Sequence, residues 1–402
     1  MLNRRTLLKH TARGLCGMGL FSGSLLSPVA RAFAAEAALD DRILVVFELS
    51  GGNDGLNTVV PFSDDAYYRL RPRIGVRPDD LLKLDDDWGF NPGLLGLQRL
   101  WNDGQLAVIH GCGYERPSFS HFTSMAYWHT ASPNSGDEYG WYGRLADAMA
   151  SEAQANFLIN IDTAQSLAVK SRIHTPVVFD DPERFKRNAL PQEKAILDYV
   201  DDQIGKNATL DYLNLVARGA REASALIRQA WANYRSPIDY GIAPSQFRKV
   251  AACIAAGLPT RLYYIAFPNN AFDTHVQQPD LHRRLLSYAS DAVHGFLHDM
   301  ERIGYADRVC VMMFSEFGRR APENTNLGTD HGAANLMMLA GKEVRGGHYG
   351  EPPSLVDLDD GDNLIYTTDF RRVYATAIDG WLKVGAADTV LKGQFDPFPI
   401  FA

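Results

Sequence analysis

Three short runs constrain this chain more than anything else in it: 43–49 (ILVVFEL), 262–267 (LYYIAF) and 309–314 (VCVMMF). Each is apolar without alternation, rich in β-branched or aromatic residues, and short for a buried helix. Such runs read as strands covered on both faces, as in a parallel sheet held between layers of helix. Each also gives way abruptly to polarity: SGGNDG follows the first, FDTH lies beyond the second, and SEFGRR follows the third. Open α/β sheets bind ligands beyond the carboxyl ends of their strands, so functional residues are sought there.

The densest such stretch runs from Val309 to Asn335. Glu316, Arg319 and Arg320 appear at the end of its strand, and Asn324, Asn326 and Gly328 mark a turning loop that closes in Thr329-Asp330-His331-Gly332. A hard anionic oxygen, a borderline ring nitrogen and a glycine that lets the backbone turn suit a transition-metal site. Taken alone, the pair has a plainer reading, with Asp330 capping a helix that begins near Ala333 and His331 in solvent. Other strand ends repeat the chemistry. The glycine turn after the first strand places Asp54 as a ligand, while lacking both the GxGxxG pattern and the P-loop lysine. Asp273 and His275 are one residue apart and point the same way on an extended loop. His348 lies in the glycine-rich loop 346–350. Together Asp54, Asp273, His275, Asp330, His331 and His348 make six oxygen and nitrogen donors, enough for two divalent ions, zinc foremost.

A further strand at 106–109 leads to Glu115-Arg116-Pro117-Ser118-Phe119-Ser120-His121 and a helix through Trp128. Ser120 sits at the N-cap, where free N–H groups also favour the anion formed when a hydroxyl accepts a phosphoryl group. Arg116 or Arg319 is placed to neutralise ester oxygens, with Arg319 alternatively paired to Glu316. Glu316 is read as a metal ligand or a base behind one, so the catalytic candidates are Ser120, Arg116 and Glu316. Strands are also expected at 157–161, 176–179 and 336–339, and helices at 94–101, 281–303 and 369–383, with His282, His294 and His298 facing solvent. Residues 182–256 read as a helical insertion. Residues 35–402 are expected to form one α/β domain.

The first 34 residues read as an export signal. Asn3-Arg4-Arg5-Thr6-Leu7-Leu8-Lys9 is a twin-arginine pattern, followed by a weakly apolar stretch and small residues around Ala32. The stretch is too short and too rich in Gly and Ser for a stable membrane anchor. The expectation is a periplasmic or secreted protein whose partner in transit is the twin-arginine (Tat) translocase. Net charge over the whole chain is −8, and the signal carries Arg4, Arg5, Lys9, Arg13 and Arg31 with no acid, so the mature chain is more acidic still. That argues against nucleic acid as a partner, while a bound metal would still admit an anionic substrate. Cys112, Cys253 and Cys310 remain, an odd count without CxxC spacing, which argues against a disulfide framework.

The motifs SGGNDGLNTVVP, SHF with a downstream tryptophan, FDTH, SEFGRR and GTDHG, spread over nearly the whole mature chain, resemble those of domain-of-unknown-function family 1501. That family is grouped by resemblance with the alkaline phosphatase/sulfatase clan. The resemblance implies a three-layer α/β/α sandwich, alkaline phosphatase-like, over 35–402, and a two-metal hydrolase centre acting on an anionic phosphate or sulfate ester. Under it, Asp54 matches the clan's first-strand metal Asp. Asp273 and His275 match the middle pair at closer spacing, Asp330 and His331 the Asp-His motif, and His348 the later histidine. Ser120 is the counterpart of the hydroxyl nucleophile. The sulfatase signature is absent, since 112–116 lacks its proline. Gly51 to Asp54 also fits one block of the SGNH esterases, whose Gly-Asp-Ser and Asp-x-x-His blocks are missing. The other class is a non-catalytic periplasmic metal-binding or interaction protein of the same fold, working beside another exported protein of the kind often encoded next to the family.

Overall fold

The computed structural model describes residues 41–185 and 223–402. The expected export signal and residues 186–222 of the expected helical insertion lie outside the described residues. The central sheet is built from β1 (Ile43–Glu48), β2 (Leu106–Gly113), β3 (Leu158–Ile161), β4 (Val177–Val178), β5 (Leu262–Ala266) and β6 (Val309–Phe314). Beyond the short pair β7 (Gly318–Arg319) and β8 (His331–Gly332), it adds β9 (Asn335–Ala340), β10 (Gly347–Tyr349) and β11 (Thr368–Asp369). Its order is β10-β2-β9-β6-β1-β5-β3-β4, with β11 also on β2, nine strands in all. β9 runs against both its neighbours, and the other pairings are parallel.

The continuous apolar runs form strands because both faces of the sheet are covered. Along β1, Ile43, Val45 and Phe47 face one core and Leu44 and Val46 the other. β6 divides the same way, with Val309, Val311 and Met313 opposed to Cys310, Met312 and Phe314. The first core is closed by α1 (Leu95–Asn102), α4 (Gln246–Ala255) and α5 (Gln278–Arg302). The second is closed by α2 (His121–Thr130), α3 (Trp141–Met149) and the C-terminal helices around Tyr374. Trp128 of α2 is 1% exposed and stacks on Phe370 and Phe314 at centroid distances of 4.1 and 5.4 Å. Its large buried surface fixes the seat of α2, and with it the position of His121 at the helix start. This is the expected three-layer α/β/α sandwich.

Three local expectations are corrected. No helix begins near Ala333: Asn335–Ala340 is a fully buried strand, so Asp330 caps nothing. His282 does not face solvent; it is 1% exposed and its Nε2 lies 2.8 Å from Asn53 Oδ1. The glycines around His348 form an edge strand, with His348 beside Val108 of β2. The polar flank of 346–350 suggested a loop, but backbone pairing to β2 holds it extended.

Register positions the site. Glu48 lies beside Ala266 of β5 on one side and Phe314 of β6 on the other. The segments that follow these three strands therefore leave the sheet at one edge, side by side.

Candidate metal centre

The turn after β1 is shaped by Gly51, whose φ of +117° suits glycine. A Cβ there would stand 2.5 Å from the backbone nitrogen of Asp273, so the turn can close on the loop after β5 only without a side chain. Arg319 then ties the loops together. It is 1% exposed, and its guanidinium donates to the carbonyls of Gly51 at 2.5 Å, Gly52 at 2.6 Å, Thr329 at 2.9 Å and Phe272 at 3.1 Å, and to Asp273 Oδ1 at 2.7 Å. It therefore pairs with Asp273 and not with Glu316, and its donors are committed inside the protein rather than offered to an ester.

Around Asp273 three imidazoles gather. His275 Nε2 lies 3.0 Å and His331 Nε2 3.1 Å from Asp273 Oδ1. His121 Nε2 approaches Oδ2 at 3.4 Å, buried and without a hydrogen-bond partner among the described residues. His275 Nε2 and His331 Nε2 are 3.0 Å apart. The ligand atoms of His121, Asp273 and His331 all fall within 4.8 Å of one another.

The far side of each ring explains its orientation. His121 Nδ1 meets Glu316 Oε1 at 2.7 Å, His331 Nδ1 meets the carbonyl of Phe119 at 2.8 Å, and His275 Nδ1 faces Asp330 Oδ1 at 3.4 Å. Each partner is an acceptor, which assigns the ring proton to Nδ1 and leaves the Nε2 lone pair pointing inward. Glu316 is itself held, accepting from the backbone N–H groups of Gly51 and Gly52 at 2.9 and 3.0 Å and from Ser315 Oγ at 3.1 Å. A histidine whose second nitrogen is bound to a carboxylate or carbonyl is the usual form of a metal-ligating imidazole.

Electrostatics agree. Burial works against the Asp273 anion, yet the hydrogen bonds and charge of Arg319, with His331, hold its carboxyl at about 2. Burial lowers the pKa of His331 and keeps its ring neutral. The Glu316 hydrogen bond raises His121 above the ordinary imidazole value. The Asp273 anion and the neutral ring of His331 thus face a space that calls for a cation, which His121 supplies as a proton when no metal displaces it. Ligand atoms around one tetrahedral zinc stand about 3.3 Å apart, given bonds of about 2.0–2.1 Å. The contacts of the three rings with Asp273, at 3.0 to 3.4 Å, are close to that edge, although His121 approaches Oδ2 and the other two approach Oδ1.

Of the six ligands expected from sequence, Asp273, His275 and His331 meet here. Asp330 stands behind His275 and also accepts from Asn324 Nδ2 at 3.2 Å. Asp54 lies elsewhere. It is fully buried, takes both oxygens to Arg71 Nη1 at 2.7 and 2.8 Å, and accepts from Gln278 Nε2 at 2.5 Å and the Asn57 N–H at 3.2 Å. Burial opposes its charge, and Arg71 overrides that, lowering its pKa. His348 is also elsewhere, packed at a tilt against Trp101 and bonded to His110 at 2.8 Å. Ser120 is the exposed N-cap residue of α2, next to His121, and its hydroxyl makes no cap bond. Arg116 is exposed in left-handed backbone on the same loop. His121 was missed; its signal was the imidazole directly after the N-cap in Ser-His-Phe, which attention to Ser120 passed over. The rim is apolar, with Phe119, Phe122 and Val276 exposed.

The fold and site describe a three-layer α/β protein with a His/Asp cluster at the carboxyl edge of its sheet. Residues 40–363 match the family described as protein of unknown function DUF1501, and the chain belongs to that family. No curated protein matches it in sequence. Among solved structures it is similar to PsFucS1 sulfatase from Pseudoalteromonas sp., with 11% identity, 94% of this chain and 77% of that one covered, and a TM-score of 0.41. The lipoteichoic acid synthase LtaP from Listeria monocytogenes gives 11% identity, coverage of 83% and 76%, and 0.36. The C-terminal periplasmic domain of EcEptC from Escherichia coli, in complex with Zn, gives 10%, 75% and 73%, and 0.34. At such scores these likenesses carry no argument about chemistry.

Replacing Asp54 tests its structural reading. Asp54→Ala leaves Arg71 buried and unpaired, and denaturant unfolding is expected to show a loss of about 3–5 kcal/mol. The native carboxyl has the lower pKa, so the wild-type contribution is full above the unfolded value near 4 and is lost as pH falls through the folded one. An unchanged midpoint at neutral pH would contradict the pairing.

Proposed function

We propose that this protein is an exported metal-dependent enzyme that cleaves phosphate or sulfate esters at the His121/Asp273/His275/His331 cluster. The observation that carries the reading is the convergence of three Nε2 lone pairs on one carboxylate, each imbued with direction by an acceptor at Nδ1. Three nitrogens and one oxygen suit zinc. The geometry supports one ion, where the sequence motifs implied two, because Asp54 and His348 are engaged elsewhere and Asp330 backs a ligand. A divalent ion there would act as a Lewis acid toward an ester oxygen.

The chain's own residues supply the rest. His121, His331 and His275 orient through their Nδ1 partners, and Glu316 keeps His121 in the right tautomer. Ser120 presents an uncommitted hydroxyl one residue before His121 at the start of a ten-residue helix, whose free N–H groups favour an anionic ester. It is the nucleophile in this reading, and Arg116 on the same loop is the cation for the ester oxygens. With Arg319 withdrawn into the structure, that duty rests on Arg116. Delivery would be through the Tat translocase to the periplasm or beyond. Among the described residues no helix is long and apolar enough to cross a membrane. The second reading, a non-catalytic metal-binding protein that works with another exported protein, is favoured by the number of protein donors, since four leave no open position at a tetrahedral ion.

One measurement tests the metal site that both readings share, and a second separates them. Glu316→Gln keeps the shape behind His121 and loses the anion; zinc titration is expected to give affinity about 10–100-fold weaker, and unchanged affinity would remove Glu316 from the site. A screen of the zinc-loaded protein on aryl phosphates and sulfates is expected to find turnover that Ser120→Ala abolishes while zinc is retained. Bound zinc without turnover on either ester class would favour the non-catalytic reading.

A further inference from the structure

Apart from the candidate metal centre, the described residues enclose a cavity of about 250 Å³ beside Asn335. Asn335 lines it while donating to the carbonyls of Asn53 at 2.9 Å and Phe317 at 2.8 Å. Its walls are largely apolar, with Trp88, Pro352, Pro353 and Leu355 among them. At this volume it sits at the small end of ligand sites.

Among the described residues, its charged side chains all have one sign. Asp64 and Asp87 contribute exposed carboxylates, and no Lys or Arg lines the space. Ser63, Asn335 and His110 are its neutral polar side chains, beside the Trp88 indole, and His110 is only 4% exposed. Its Nε2 is 2.8 Å from His348 Nδ1, and His348 Nε2 has the carboxylate of Asp85 at 3.2 Å, off the line of a good hydrogen bond. An anion beside Nε2 of His348 keeps the proton there, so His348 Nδ1 accepts and His110 Nε2 donates. His110 is then left with a lone pair on Nδ1, for which no partner occurs among the described residues. Burial lowers the pKa of His110 to about 3 and keeps the ring neutral. Trp88 packs against His110 at a centroid distance of 4.6 Å.

A space with apolar walls, two carboxylates and a buried imidazole acceptor has no cation with which to hold an anion, and its neutral donors, the Trp88 indole and the Ser63 hydroxyl, do not offset the two negative charges. It needs a ligand that donates hydrogen bonds, carries positive charge and has a compact apolar body. We propose that this cavity binds a small organic cation, a protonated amine on an apolar skeleton. The ammonium sits toward Asp87 and donates to His110 Nδ1, and the skeleton lies against Trp88 and the prolines. This site is separate from the metal cluster and does not depend on its chemistry.

Titration calorimetry of the full-length protein with 2-phenylethylamine, 2-phenylethanol and phenylacetate tests the assignment. The amine is expected to bind saturably, with the isosteric alcohol about tenfold weaker and the carboxylate silent. Asp87 is exposed, so Asp87→Asn is expected to fold normally; it should weaken the amine about tenfold and leave the alcohol unchanged. Absence of saturable amine binding, equal binding of the alcohol, or an amine affinity indifferent to Asp87→Asn would each overturn the proposal.

Discussion

The site depends on one buried guanidinium. Arg319 reaches the turn after β1, the loop after β5 and the carbonyl next to Asp330, and its Nη2 also donates to the carboxylate at the centre of the cluster. Four of these bonds go to backbone carbonyls inside the protein, and the planar fork sets their directions at once. Loops that are far apart in sequence become a rigid floor. The same contacts hold Asp273 ionised against the cost of its burial, so one residue supplies both the geometry and the charge of the site.

Around that floor the histidines are arranged by what lies behind them. The glycine turn that admits Asp273 also presents the two N–H groups that hold Glu316, and Glu316 aims His121. Sheet register puts these parts at one edge, and the stacking of Trp128 on Phe314 and Phe370 seats the helix that carries His121. Packing in the second core thus reaches the metal centre through rigid neighbours. Phe317 completes the link, its ring 4.5 Å from His331 and 4.9 Å from His121.

Much of this was legible in the sequence. Runs such as VCVMMF report burial on both faces, which is a local property, and the layers follow from it. Asp273, His275 and His331 were legible because they follow strands whose carboxyl ends must lie together. Asp54 was misread for the opposite reason: its partner is Arg71, and nothing local distinguishes a carboxylate facing a buried arginine from one facing an ion. His348 was misread because glycines around it resembled a ligand loop, whereas strand pairing carries it to the far edge of the sheet. His121 was overlooked because helix capping explained its neighbour well enough. Arg319, the residue on which the loops converge, has contacts 10 to 268 positions away, which no pattern along the chain reveals.

The central claim is that one divalent ion belongs among His121, Asp273, His275 and His331. Anomalous diffraction at the zinc edge, on crystals of protein exported through its own signal, tests it directly. The account predicts a single strong peak about 2.0–2.1 Å from the Nε2 atoms of the histidines and from Asp273, with none beside Asp54 or His348. A clean map at the cluster after zinc loading, or a second peak held by Asp54, would contradict it.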